Sequence, residues 1–350
     1  MRAVLYESFG QTPAVVDVDP LTPPAHGVVI AVEATGVCRS DWHAWSGHDD
    51  SVTAPHVPGH ELVGTIARAG EEVTGFAPGD RVTVPFVCGC GTCEFCTAGS
   101  AQVCPDQTQP GFTHWGSWAQ EVVIHHADAN LVAVPADLPA EAVLPLGCRF
   151  ATAFRGLHGR AQLQPGEVVA VFGCGGVGLS AVMIAHAIGA RIIAVDISAD
   201  ALDLATRMGA GATVDSTGLT EAEVAEAVRT AAAQLGSEAG PHVTVEALGL
   251  EATMNAALLS LRPLGRHVQI GLLTGPPTTA VPRIVSLELS LLGSHGMAAA
   301  DYGPLLDLVL EGRLRPQDLV TRTIGLDEAP AAMEALSRPA TAGGLTIIRP

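Results

Sequence analysis

No lysine occurs among these 350 residues; all 18 basic side chains are arginine, set against 36 acidic ones. Schiff-base catalysis and a phosphate-loop lysine are thereby excluded as mechanisms. The net charge of -18 and a pI near 5.0 offer nothing to attract nucleic acid or an anionic membrane, so the expected partner is a small molecule. Aromatic side chains are also scarce, at 4% of the chain, and all of them but Tyr302 lie at or before Phe172. Bulky walls for a substrate must come mainly from the first part, and the later part is built from aliphatics, as a parallel sheet buried on both faces should be. No internal repeat, low-complexity tract or flexible linker is present. The first nine residues contain an acid and no apolar core of signal-peptide length, so they read as a first strand and the expected compartment is the cytoplasm. Residues 168–190 lack any formal charge, but Gly173, Gly175, Gly176 and Gly178 would break a membrane-spanning helix.

The length suits two domains. Short apolar, β-branched runs at 28–37, 62–67 and 81–84, separated by Gly, Pro and Asp turns, predict an antiparallel β region. No helical period of any length precedes about Ala140, which predicts a small β-barrel carrying long loops. After Pro165 the pattern becomes βα alternation: strands at 168–172, 191–196, 242–247 and 267–272, and helices at 177–188, 199–208 and 221–235. That is the doubly wound parallel architecture. The final residues are irregular around one helix at 302–311 and are expected to fold back onto the first domain.

Eight cysteines could in principle form disulfides, but Cys90, Cys93, Cys96 and Cys104 crowd within fifteen residues, which is metal-ligand spacing. Four thiolates leave no open position on a tetrahedral ion, so this lobe at 88–104 reads as a structural zinc site, with Cys88 a bystander. Gly173-Cys-Gly175-Gly176-Val177-Gly178 fits G-x-G-x-x-G between a predicted strand and a predicted helix, and Asp196 ends the following strand. Such glycines admit a pyrophosphate to backbone amides, while the acid bonds a ribose diol and repels a 2′-phosphate; NAD(H) is the expected cofactor. In Cys38-Arg39-Ser40-Asp41-Trp42-His43, the thiolate can bind zinc, Ser40 can bond a substrate oxygen and His43 can pass protons to water. His60 and Glu61 follow Gly59, and Cys148 follows Gly147. Cys38, His60 and Cys148 supply two sulfurs and one nitrogen, the ligand set of a catalytic zinc with an open fourth position. Asp41 is the expected acceptor for the His60 ring, and Glu61 is expected to tune or transiently bind the metal.

Together these motifs resemble, over nearly the whole chain, the zinc-dependent medium-chain alcohol dehydrogenases. The resemblance implies a GroES-like catalytic domain over 1–148, a Rossmann NAD-binding domain over 149–293, a C-terminal return to the first domain over 294–350, and a homodimer or homotetramer. It implies two zinc ions per chain and reversible, NAD-dependent hydride transfer between an alcohol and its aldehyde or ketone (EC 1.1.1.1). A polyol dehydrogenase, which commonly has glutamate where Cys148 stands, and a zinc-free reductase are the alternatives within the superfamily. A non-catalytic nucleotide sensor is the alternative outside it. By the same resemblance Ser40 meets the alcohol oxygen, and His43 ends a proton relay. Arg39 meets the pyrophosphate, Thr152 meets the nicotinamide, and Gly271 and Leu272 join the cofactor site. Phe86 lines the substrate pocket, with Phe112 and Trp115 beside it. Two positions depart from the family: Ala201 replaces a lysine after the ribose-binding acid, and Leu345 stands near where an arginine is often found. Both departures bear on cofactor affinity.

Overall fold

A computed structural model describes residues 1–337 and 344–350. The chain divides into two compact units, Met1–Ala151 with Gly296–Leu310 and Arg315–Pro350, and Thr152–His295 with Glu311–Leu314.

The first unit is organised on the strand Val28–Gly36, whose β-branched run pairs antiparallel with Leu62–Ala69, Glu121–Ile124 and Leu345–Arg349. The resulting seven-stranded sheet has Val320–Gly325 at one end and Val132–Ala133 at the other. Register shifts at Val29/Ile30 and Val32/Ala34 bend the central strand, as bulges do. The fully buried Trp118 donates its indole N–H to Gly36 O at 2.9 Å and so anchors the end of that strand. Three residues later the chain enters the helix Arg39–Trp45. This helix corrects the expectation of no helix before about Ala140: seven residues are too few for periodicity to register. Its start is set by a side chain, because the Asp41 carboxylate accepts from Cys38 N at 2.9 Å.

The second unit carries six parallel strands in the order Ala212–Asp215, Arg191–Asp196, Val168–Phe172, Val243–Glu246, Arg266–Gln269, Ser290–Gly293. Numbered along the chain this is 3-2-1-4-5-6, the dinucleotide-binding order. Every residue of Val168–Phe172 is buried, so its unbroken hydrophobicity belongs to a strand covered on both faces. Ala212–Asp215 and Ser290–Gly293 add to the strands that the sequence predicts; each is a partly exposed four-residue edge strand without an apolar run to announce it. Among the described residues no helix is long and apolar enough to cross a membrane.

Candidate active site and metal centres

One buried carboxylate assembles the proposed zinc ligands. Asp41 Oδ2 accepts from Cys38 N at 2.9 Å, and Oδ1 accepts from Gly59 N at 3.1 Å and bonds His60 Nδ1 at 3.0 Å. It thus ties the start of the helix to the loop 59–60 and fixes the imidazole so that Nε2 is the free nitrogen. That loop needs its glycine: Gly59 has φ +107, and a Cβ there would lie 2.7 Å from Trp118 N. The ligand atoms of Cys38, His60 and Cys148 all lie within 4.8 Å of one another. His60 Nε2 is buried with no hydrogen-bond partner, an orphan that a metal ion would satisfy. The two sulfurs perturb each other: the neighbouring Cys148 holds the Cys38 thiol well below its ordinary range against the effect of burial, while Cys38 and burial push the Cys148 thiol up. A soft cation resolves both, so the residues fit zinc, and three protein donors leave one position open.

Phe86 and Phe112 face the His60 ring at centroid distances of 6.2 and 5.2 Å. Trp115 is tied to Pro55 O at 3.2 Å and is not among the rings packed on His60. Ser40 Oγ lies 3.7 Å from Cys38 Sγ, and His43 follows on the same short helix. Arg39 is exposed; its guanidinium donates to Leu336 O and lies 5.0 Å over the Trp42 ring.

Arg149 is the residue that sequence reasoning missed. It follows Cys148 and donates to Glu61 from Nε at 2.8 Å and from a terminal nitrogen at 2.6 Å, with side-chain exposure of only 6% and 0% for the two partners. The same terminal nitrogen reaches Val37 O at 3.4 Å. The space is strictly kept: a Cβ on Gly36 would lie 2.4 Å from Glu61 Oε2. Burial raises the proton affinity of Glu61, and Arg149 opposes it. Glu61 is thus held by a guanidinium.

The four-thiol lobe gathers Cys90, Cys93, Cys96 and Cys104 with all sulfurs within 4.8 Å. Amides already point at the sulfurs: Cys90 N donates to Cys104 Sγ and Cys93 N to Cys90 Sγ, each at 3.4 Å. Hydrogen bonds from Thr92 and Cys93 bring the Cys90 thiol down to about 6, whereas burial pushes Cys96 up to about 12, so one cation is needed to bring all four into the thiolate form. Cys88 is buried in the sheet core, bonds Pro85 O, and is pushed by burial up to about 12. It stands outside the cluster.

In the second unit the three glycines divide their work. Gly173 has φ +91 with Leu248 packed where a Cβ would go, and a Cβ on Gly178 would lie 1.7 Å from Gly173 O. At Gly175 a Cβ would meet nothing within 4 Å, so the middle of the loop is the open cradle at the start of the helix Gly176–Ile188. Asp196 accepts from Cys174 N at 2.6 Å and from Ile197 N and Ser198 N at 2.8 and 2.9 Å, tying the glycine loop to the end of its neighbouring strand. Thr152 is buried on the helix Arg149–Phe154. Gly271 packs against Gly249 N and the Glu246 carboxylate, and Leu272 is 82% exposed.

A GroES-like unit with a candidate three-donor metal cluster and a four-thiol lobe, and a Rossmann sheet with an open glycine cradle, are the parts of the medium-chain dehydrogenase fold. Family models agree: residues 24–136 match the alcohol dehydrogenase GroES-like domain and residues 176–311 the zinc-binding dehydrogenase domain. The chain belongs to the zinc-dependent medium-chain dehydrogenase family. It is 32% identical to a sorbitol dehydrogenase of Halalkalibacterium halodurans, over 90% of each chain. It is 30% identical to an NAD-dependent alcohol dehydrogenase of Sulfurisphaera tokodaii, over 96% of each. The solved alcohol dehydrogenase TADH of Thermus sp. ATN1 superposes with a TM-score of 0.89 at 30% identity, covering 100% of this chain and 99% of that one. These relatives make the protein an oxidoreductase acting on alcohols.

Proposed function

We propose that the protein is a zinc- and NAD-dependent alcohol dehydrogenase of apolar or aryl-bearing alcohols, interconverting them with aldehydes or ketones. The observation that carries this reading is the orphaned His60 Nε2, buried beside the sulfurs of Cys38 and Cys148. Zinc held by Cys38, His60 and Cys148 supplies Lewis acidity toward the substrate oxygen, and NAD supplies the hydride acceptor. Asp41 fixes the imidazole tautomer. Ser40 takes the hydroxyl proton, and His43, three residues on and so on the same helix face, discharges it to water. Arg149 keeps the Glu61 carboxylate paired until the ligand shell needs it. A second zinc in the four-thiol lobe is structural. In the second unit the Gly175 cradle receives the pyrophosphate, Thr152 meets the nicotinamide, Gly271 and Leu272 join the cofactor site, and Asp196 binds the ribose diol. Phe86 and Phe112, with Trp115 further out, offer area but few hydrogen-bond partners, which favours apolar alcohols over polyols.

The edge strand Ser290–Gly293 and the exposed Val281, Val285 and Leu291 suit a homodimer formed through the second unit. Thiolate ligands suit a reducing compartment such as the cytoplasm. Purified zinc-loaded protein, assayed with NAD against hexanol, benzyl alcohol, secondary alcohols and sorbitol, tests the substrate class; a higher kcat/KM for sorbitol than for hexanol or benzyl alcohol refutes it. Asp196→Asn, which keeps an acceptor for the glycine loop, should narrow the NAD over NADP preference by roughly 1 to 3 kcal/mol. Equal use of the two cofactors by the unmodified protein refutes the role of Asp196.

A further inference from the structure

We propose that His48 is a positioning residue for proton release, the second of two imidazoles in series that carry a proton from the active site through His43 to water; this rests on the alcohol dehydrogenase reading above. The pair is built by the helix terminus itself. Arg39–Trp45 ends in a double closure, His48 N to His43 O at 2.9 Å and Gly47 N to Ala44 O at 3.1 Å, with Gly47 in the left-handed region at φ +74. This six-to-one and five-to-two pattern brings together the side chains of the third-last helical residue and the second residue past the cap. Those positions commonly hold two apolar side chains. Here they hold two imidazoles, His43 Nδ1 and His48 Nδ1, 3.1 Å apart.

Trp42 clamps both rings edge-on, at centroid distances of 4.9 Å to His43 and 5.4 Å to His48. Its own indole N–H donates to Ser337 Oγ at 2.9 Å, and Arg39 covers its face. Two Nδ1 atoms at bonding distance require complementary tautomers: one ring carries the Nδ1 proton and the other presents a bare Nδ1. The charged and titratable groups facing His43 are His48, Arg39 and Cys38. Burial, His48 and Arg39 make its ring easier to deprotonate, and Cys38 opposes them. A ring so placed passes a proton on and does not store it.

The transfer balances without any further reactant. His43 accepts the proton at Nε2 and gives its Nδ1 proton to the bare Nδ1 of His48, which then releases its own Nε2 proton to water. Each ring has gained and lost one proton, and rotation or exchange with water restores the starting tautomers. Both rings are exposed, so the outer end meets solvent directly.

The test uses His48→Gln, which keeps a hydrogen-bonding partner for His43 but cannot relay, together with His48→Ala. Proton release in a single turnover with NAD and alcohol, followed with a pH indicator in weak buffer, should slow about tenfold in both variants and recover when a non-coordinating buffer such as Hepes is raised. NADH affinity, metal content and melting temperature should stay at the wild-type values. Nitrogen-15 histidine spectra of the full-length protein should show the complementary tautomer pair and its loss in His48→Gln, a readout independent of turnover. Proton release as fast in both variants as in wild type overturns the proposal, as does slowing that raised buffer does not relieve. If the wild type oxidises no alcohol with NAD, the functional reading itself fails and the relay falls with it, even where the tautomer pair is seen.

Discussion

Replacing Arg149 by methionine is expected to cost about 3 to 5 kcal/mol of folding stability, because it removes one partner of a buried ion pair and leaves the other. Glu61 has a fully buried side chain and receives two charge-assisted bonds at 2.8 and 2.6 Å from the guanidinium. Its other bond is a long one of 3.4 Å from Arg149 N. Once the guanidinium is gone, the carboxylate must take up a proton, admit water or turn toward the metal ligands. Methionine fills most of the arginine stem, so lost volume contributes little and the penalty is electrostatic. The double variant Arg149→Met with Glu61→Leu should recover most of the loss, since exchanging a buried pair for apolar residues of similar volume is often near neutral. Urea unfolding of the metal-loaded wild type, both single variants and the double variant closes the cycle, with zinc content measured on the same samples. Refutation would be an Arg149→Met variant within about 0.5 kcal/mol of wild type, the range of an ordinary surface change. Strictly additive losses in the cycle would refute it equally.

The two proposed zinc sites should fail differently. Cys104→Ser opens a closed four-thiol site in a lobe with little core of its own, so it should lower zinc content by one ion per chain and depress the melting temperature. Cys148→Ser should leave the fold and NADH binding intact while removing most turnover, and near-normal activity in this variant would sink its assignment. Acid stability should depend on His114, whose proton affinity burial and the charge of His125 reduce to about 4 from an ordinary 6.5. The unfolded chain therefore binds a proton at this side chain below pH 6.5 that the folded chain refuses until about 4, so stability present above pH 6.5 is withdrawn as pH falls through that window, by roughly 3 kcal/mol at most. His114→Gln should flatten this acid limb in urea melts at pH 7, 6 and 5, and an unchanged slope would rule the assignment out.

The residues that the fold gathers into two candidate metal clusters could be read from the sequence because their chemistry is local. Cysteines at metal spacing, glycines between a strand and a helix, and an acid ending the next strand each state their purpose within a few dozen residues. Gly47 could have been read as well, since a glycine after a short helical turn marks a cap that sets the residues at either side of it face to face. Arg149 could not be read in this way. Its partner lies 88 positions away, and an arginine beside a cysteine carries no spacing signal. The departure near the C-terminus, which bears on cofactor affinity, gives no hint of it either: Leu345 is a buried apolar side chain packed with Ala34, Val63 and Ile347. A buried Glu61 needs a cation wherever the fold can supply one, because an uncompensated carboxylate inside an apolar core costs more than the fold can spare. The position directly after Cys148 supplies it, and Gly36 keeps open the space in which the pair meets. Arg149 meets that requirement, and the pair becomes visible only when the fold brings the segment after Cys148 to the carboxylate at Glu61.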